Sequence, residues 1–351
     1  MQTILVTGGA GFIGSNFVRY MLDTHKDIRI INLDKLTYSG RIENIEMHDT
    51  DDRHEFVQGD IANKELVEYV VKKYNVDTIV NFAAESHVDR SIHGGREFVR
   101  TNVEGVQVLL EVTRDMGLER FHQISTDEVY GDLEAGGFAT EESLLVPSSV
   151  YSATKAAAEM LVMAFKRTHD TPVTTTRCTN NYGPYHFPEK VIPLFITNLM
   201  EDKKVPVYGD GGQVRDWLYV TDHCSAIDLV LQKGELGEIY SVSARNEPEI
   251  TNLELTKTIL KHLGKDESYI QEVEDRAGHD RRYAVEGSKI RELGWKPAVS
   301  FDEGIAKTVQ WYKDNEAWWR PIKESKELGS FFSVNYKIKQ NEEGKAEAVR
   351  A

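Results

Sequence analysis

The chain holds two cysteines in 351 residues, Cys178 and Cys224. So few, so far apart, exclude a disulfide framework and a cysteine-based zinc site, and both are expected as small buried hydrophobes. No metal is expected. Basic residues are the minority charge: 42 Lys and Arg stand against 57 Asp and Glu, a formal charge of −15. Nucleic-acid and anionic-membrane surfaces need a basic footprint, so neither is expected as a partner. An anionic small ligand needs only a locally positive pocket. Long apolar runs are missing as well. None approaches the roughly 20 residues of a membrane helix, and because the chain enters "QTILVTGG" at once no secretory leader is expected. Together these absences predict a cytoplasmic, reducing setting. There is no internal repeat, no low-complexity tract and no visible linker, although the length suffices for one large or two modest domains.

What is present is alternation. Short runs rich in β-branched and aromatic residues fall at 3–8, 28–34, 54–60, 77–84, 120–126 and 172–178, most of them separated by helical stretches. Crossovers of that length make a sheet parallel, so the expected fold is α/β: a doubly wound Rossmann sheet over 1–175, binding ligands at the carboxyl ends of its strands. Past residue 176 Gly, Pro and aromatic residues become frequent. A smaller C-terminal lobe over 176–325 is expected there, with some segments returning to the sheet. The polar stretch 335–351 is expected to fray.

Three clusters carry chemistry. "TGGAGFIGSN" follows the first strand and spaces Gly8, Gly11 and Gly14 so that backbone can turn tightly and approach a phosphate at a helix N-terminus. Asp34 ends the second strand about 20 residues further on, where a carboxylate accepts hydrogen bonds from a ribose and repels a 2′-phosphate. That pair predicts NAD rather than NADP. Asp60 in "QGDI" is expected to reach the adenine side. In "YSATK", Tyr151 and Lys155 share one helix face, where a cation beside a phenol favours the phenolate. In "QISTDEVYG", Thr126, Asp127 and Glu128 follow a buried strand, and charge placed there is costly unless paired or used. Adjacent carboxyl groups push each other's pKa values apart and can hold different protonation states.

These motifs, with "DKLTYSG", "NFAAESHVDRS", "NNYGPYHFPEK", "VRDW" and "DRAGHDRRYA", span residues 7 to 284. Over that range the chain resembles the extended short-chain dehydrogenases/reductases and, within them, the nucleoside-diphosphate-sugar 4,6-dehydratases, those acting on dTDP-glucose in particular. The resemblance implies oxidation at C4 by a tightly bound NAD, loss of water across C5 and C6, and hydride return to C6. It gives Tyr151 and Lys155 the hydride step with Thr126 at O4, Glu128 the C5 proton, and Asp127 the departing C6 hydroxyl. It implies cofactor contacts from Phe12, Ile13, Lys35, Leu36, Thr37, Ile61, Ala83, Ala84, Ser86, Thr101 and Asn181 besides the glycines and acids above. On the substrate side it implies His87, Asn180, Glu189, Lys190 and Val191. Arg215 and Arg281 are implied for the pyrophosphate, Pro206, Val207 and Tyr208 for the base, with Asn246, Asp275 and His279 nearby. Thr179 stands where the bacterial enzymes carry serine.

The stretch "FVRTNVEGVQVLLEV" is apolar at Val99, Val103, Val106, Val108, Leu109 and Leu110, broader than one buried stripe requires. With the helix after Tyr151 it is expected to build a two-fold four-helix interface, so a homodimer is expected. The alternatives are a UDP-glucose 4,6-dehydratase or UDP-sugar 4-epimerase and, in another class, a non-catalytic NAD-binding sensor or scaffold. The Asp127–Glu128 pair favours dehydration over epimerisation, which asks for no second acid–base pair.

Overall fold

Apolar, β-branched strands that must be buried on both faces need helices above and below, and the chain supplies them in alternation. A computed structural model describes residues 2–48, 50–275, 278–325 and Leu328; the expected frayed tail lies outside these residues. The strands are β1 (Gln2–Thr7), β2 (Ile28–Asp34), β3 (His54–Gln58), β4 (Thr78–Asn81), β5 (Arg120–Thr126) and β6 (Val173–Cys178). A seventh, β7 (Ile239–Val242), returns from the C-terminal half to pair with β6. The order is β7-β6-β5-β4-β1-β2-β3, with every pairing parallel.

Side chains alternate across this sheet. Leu5, Ile31 and Phe121 pack on one face with Val70, Leu109 and Val162. Those three come from α2 (Lys64–Tyr74), α3 (Val106–Asp115) and α4 (Val150–His169). Ile4, Val6, Ile30 and Val80 pack on the other face with Phe17 of α1 (Phe12–Thr24) and Ile227 of α5 (Val220–Lys233). Each such fully buried side chain contributes about 1.5–3 kcal/mol. A second core after β6 gathers Tyr182, Phe195, Trp217, Ile259 and Trp319.

Strand order reverses between β1 and β4, so the crossovers diverge there and leave a crevice at their carboxyl ends. Three local devices aim residues into it. Ser149 and Ser152 form a reciprocal cap that starts α4, which puts Tyr151 in its first turn and Lys155 one turn later. Thr126 caps the single 3-10 turn Asp127–Tyr130 that follows β5. A π-helical turn, Arg100–Gly105, interrupts the helical run before α3 at Thr101, which reaches the crevice.

Much of the apolar breadth of residues 98–112 covers the chain's own sheet. Val106, Leu109 and Leu110 are buried in the chain's own core, and Val108 packs against it. The helix must cover the sheet as well as meet α2, and that takes most of its apolar surface. Of the positions named for an interface, Val99 is the exposed one, at 52%.

Candidate active site

At the carboxyl end of β1 the chain leaves no room for side chains. A Cβ on Gly8, whose φ is +70°, would stand 2.6 Å from the Ala83 nitrogen, and one on Gly14 would stand 2.3 Å from the Gly8 carbonyl oxygen. Such a cradle admits a phosphate against backbone and suits the pyrophosphate of a dinucleotide. Asp34 is buried beside it and accepts from the Ala10 amide at 2.9 Å and the Leu36 amide at 2.8 Å. Burial raises its pKa, and these two bonds oppose the rise. Each oxygen keeps a lone pair for ribose hydroxyls, so the residues present fit NAD. Asp60 is held between Lys35 and Arg100, each 3.0 Å away, and accepts from the Ala62 amide. Burial works against the charged form, but these partners outweigh it and hold the carboxyl below its usual pKa.

The cleft that begins at the glycines has a cavity volume of about 310 Å³ and runs on to the acids of β5. Phe12, Ile13, Lys35, Thr37, Ile61, Ala83, Ala84, Ser86 and Thr101 line it with Asp34 and Asp60, as do Thr126, Asp127, Glu128, Tyr151, Lys155, Asn180, Asn181, Glu189, Lys190 and Val191. Leu36 does not. It takes a left-handed backbone conformation, φ 55°, that turns its amide to Asp34. Asn181 is tied to His223 Nδ1 at 2.9 Å and donates to the Thr179 carbonyl at 2.8 Å.

The two adjacent acids have different surroundings. Asp127 is 2% exposed while Glu128 is half-buried. Burial, then the Glu128 charge, lifts the Asp127 carboxyl well above the usual range, with Arg215 opposing. Asp127 therefore tends to keep its proton. Its Oδ1 lies 3.3 Å from the Thr126 hydroxyl, and its Oδ2 has no hydrogen-bond partner among the described residues. Tyr151 is 9% exposed. Burial and the Glu128 charge raise its phenol well above 10, against a hydrogen bond with Thr126. Lys155 donates to the Ile124 carbonyl at 2.6 Å; burial lowers its pKa to about 8, with Glu159 opposing. The expected lowering of the phenol calls for Lys155 and an oxidised nicotinamide together, and in the chain alone burial prevails. The phenol is desolvated beside an acid, and the ammonium is engaged by a carbonyl.

Glu189 is enclosed, its Oε2 accepting from Arg90 at 3.1 and 3.2 Å, and it bonds Tyr38. Burial raises its pKa; Lys190 and Arg90 oppose. Lys190 donates to the Ser86 carbonyl at 3.1 Å. His87 is buried behind the cleft, 3.9 Å from Asp89 and 4.0 Å from Glu189, and does not line it.

The residues expected at the nucleotide end form a separate group outside this lining. Pro206, Val207 and Tyr208 lie in a strand paired with Ile270–Val273. The Tyr208 ring meets His279, which bonds Asp275 at 2.7 Å. Arg281 grips Asp210 through two nitrogens, at 2.7 and 3.0 Å. Its half-exposed guanidinium stands in this ion pair outside the cleft lining. Asn246 bonds Asp216 and the Trp217 carbonyl. Arg215 is buried over the Tyr283 ring and donates to the Val214 and Asp280 carbonyls.

Several lining residues were not expected at the site: Tyr38, Glu85, His186, Trp217 and Cys178, the last read only as a buried hydrophobe. Tyr38 and His186 sit inside stretches singled out for other residues. His186 stacks on Phe12 at 4.2 Å, a contact across 174 positions that no local pattern announces.

Comparison with known proteins agrees with this geometry. The family model for GDP-mannose 4,6 dehydratase matches residues 5–308. The chain is 51% identical to the low-salt glycan biosynthesis protein Agl12 of Haloferax volcanii, over 88% of this chain and 98% of that one. It is 51% identical to a dTDP-glucose 4,6-dehydratase of Streptomyces niveus, over 91% and 95% of the two chains. The crystal structure of DesIV, a dTDP-glucose 4,6-dehydratase from Streptomyces venezuelae with NAD and TYD bound, superposes with a TM-score of 0.88 at 50% identity, covering 92% of this chain and all of that one. Matches of that extent settle the family: the chain belongs to the nucleotide-sugar 4,6-dehydratases, in the group of the dTDP-glucose 4,6-dehydratases.

Proposed function

We propose that this protein dehydrates dTDP-glucose to the 4-keto-6-deoxy sugar with NAD as a resident cofactor, regenerated in each turnover. The observation that carries the reading is the asymmetry of the acid pair. Burial and the neighbouring charge of half-buried Glu128 favour the protonated form of Asp127, and both acids line the cleft with Tyr151. Elimination of water needs one acid and one base at neighbouring carbons, and an epimerase needs neither. The relatives support the substrate and the cofactor.

In this reading Tyr151, with Thr126 at O4, takes the O4 proton as hydride leaves C4. Lys155, cationic at neutral pH, holds the carbonyl end of β5 in place. The C4 ketone makes the C5 hydrogen acidic, Glu128 removes it, and Asp127 gives its proton to the C6 hydroxyl, which departs as water. Hydride then reaches C6 and a proton returns to C5. NAD, held by the glycine cradle and Asp34, would supply the hydride acceptor and donor, and its oxidised form would add positive charge that counters the burial of the phenol. The glycine cradle and Asp34 hold the dinucleotide within residues 1–175. The segment 176–325 holds the nucleotide sugar, with Glu189 and Lys190 at the sugar and the Tyr208–His279–Arg281 group at the nucleotide.

The setting is cytoplasmic and the assembly a homodimer. Both cysteines are free and buried, and no helix among the described residues is long and apolar enough to cross a membrane. Val99, Met160 and Met163 are about half exposed on the stretches expected to pair, at 52, 50 and 49%. Light scattering is expected to give twice the 39.9 kDa chain mass; a monomer at micromolar concentration would count against the pairing.

Two further outcomes follow. With dTDP-glucose, Glu128→Gln is expected to form reduced nicotinamide while dehydrated product falls about 10²–10⁴-fold, the usual range for a lost acid–base group. Tyr151→Phe is expected to form neither. Undiminished dehydration by Glu128→Gln would remove that residue from the C5 step. For Asp127 the sign is set by its raised folded pKa: its contribution to stability is present below the unfolded value, near 3.8, and is lost as pH rises toward the folded one. Asp127→Asn is therefore expected to lose activity yet melt higher than wild type, by a margin that grows from pH 5 to pH 8. A margin independent of pH would show that Asp127 does not hold its proton.

A further inference from the structure

Behind the acids lies an ion pair for which the reaction outlined above has no use. Arg177 and Glu159 are 2% and 1% exposed. Arg177 Nε and Nη2 donate to Glu159 Oε2 at 2.9 and 2.6 Å. The other carboxylate oxygen, Oε1, accepts from the Ser125 hydroxyl. Arg177 Nη1 reaches the Tyr130 hydroxyl at 2.7 Å and the Glu141 carbonyl at 3.1 Å.

The partners identify what is being held. Ser125 is the residue before Thr126, and Tyr130 ends the 3-10 turn that begins at Asp127. The pair therefore grips both ends of the acid-bearing turn. Glu159 lies on α4, one turn after Lys155 and two after Tyr151. Arg177 comes from β6, next to Cys178, whose thiol lies 3.4 Å from the Ser125 carbonyl. The turn that supplies the acids and the helix that supplies the phenol and the ammonium thus meet, together with β5 and β6, at one carboxylate and one guanidinium.

Packing alone does not call for this. A buried ion pair is often no better for stability than well-packed apolar residues of the same volume. What it adds is direction, because a guanidinium fork and a carboxylate accept partners only along fixed lines. Direction matters here. Asp127 Oδ2 has no hydrogen-bond partner among the described residues, so the backbone of the turn sets where the acid points.

We propose that Glu159 and Arg177 are positioning residues for the elimination half of the reaction, keeping the Asp127–Glu128 turn in register with the Tyr151–Lys155 helix. The inference rests on the dehydratase reading. Hydride loss from C4 needs Tyr151, on α4, whereas elimination also needs the turn. Loosening the pair should then slow the second step more than the first.

The test compares wild type with Tyr130→Phe, Arg177→Lys and Glu159→Gln. Melting temperature, reduced nicotinamide after rapid mixing with dTDP-glucose, and dehydrated product by mass are measured for each. Tyr130→Phe removes one bond to the turn and leaves the pair intact. It is expected to melt near wild type, to make product several-fold more slowly and to accumulate reduced nicotinamide. Arg177→Lys, which keeps the charge and loses the fork, is expected to show a larger effect of the same kind. Unchanged product rate and unchanged nicotinamide signal in folded Tyr130→Phe would overturn the proposal. So would an equal loss of both steps in folded variants, the mark of a merely structural pair. If Arg177→Lys and Glu159→Gln do not fold, Tyr130→Phe decides alone. A wild type that forms no dehydrated product would instead bring down the functional reading itself, whatever the variants do.

Discussion

A carboxyl group buried beside a second carboxyl group keeps its proton, and the rest of this molecule is arranged around that constraint. Asp127 sits at the carboxyl end of β5 with almost no exposure, while Glu128, one residue on, reaches the cleft half-exposed. One peptide unit separates a carboxyl group driven toward its protonated form from one that reaches the cleft. The chain bears the desolvation of the first group, a cost that a merely structural turn would have no reason to carry. Loss of water from adjacent carbons is the chemistry that uses such a pair.

The parallel sheet makes the pair effective by gathering its partners at one edge. Because every strand runs the same way, β1 delivers the glycine turn, β2 delivers Asp34, β5 delivers Thr126 and the acids, and β6 delivers Cys178, all at the crevice where strand order reverses. The cap at Ser149 then fixes the start of α4, so that Tyr151 and Lys155 enter the same cleft from above. Charge inside the cleft is closely matched. Lys155 meets a carbonyl, Glu189 meets Arg90, and Asp60 meets Lys35 and Arg100. Asp127 forms no ion pair among the described residues, and burial drives it toward its protonated form.

Much of this was legible in the sequence because it is local. Gly8, Gly11, Gly14 and Asp34 follow from the geometry of one strand–turn–helix unit. Tyr151 and Lys155 follow from helical spacing, and six strands from β-branched runs. What escaped is what depends on distant residues. The commitment of Arg281 to Asp210 joins positions 71 apart, and the enclosure of Glu189 by Arg90 joins positions 99 apart. His87 reads as a cleft residue from its neighbours but is turned behind it by the helix it starts. Nor does the sequence say how much of the apolar breadth of residues 98–112 the chain's own sheet will cover. The Tyr151 phenol is the subtlest case. Spacing places a lysine near it, but burial, which spacing cannot report, raises its pKa.

The central claim is that hydride leaves C4 and returns to C6 of the same sugar while the acid pair removes water. It is tested most directly with purified protein, no added cofactor and dTDP-glucose deuterated at C4, the product being read by mass and NMR. The account predicts loss of one water with the deuterium now on C6. Product of unchanged mass inverted at C4, or dehydrated product with deuterium lost to solvent, would contradict it.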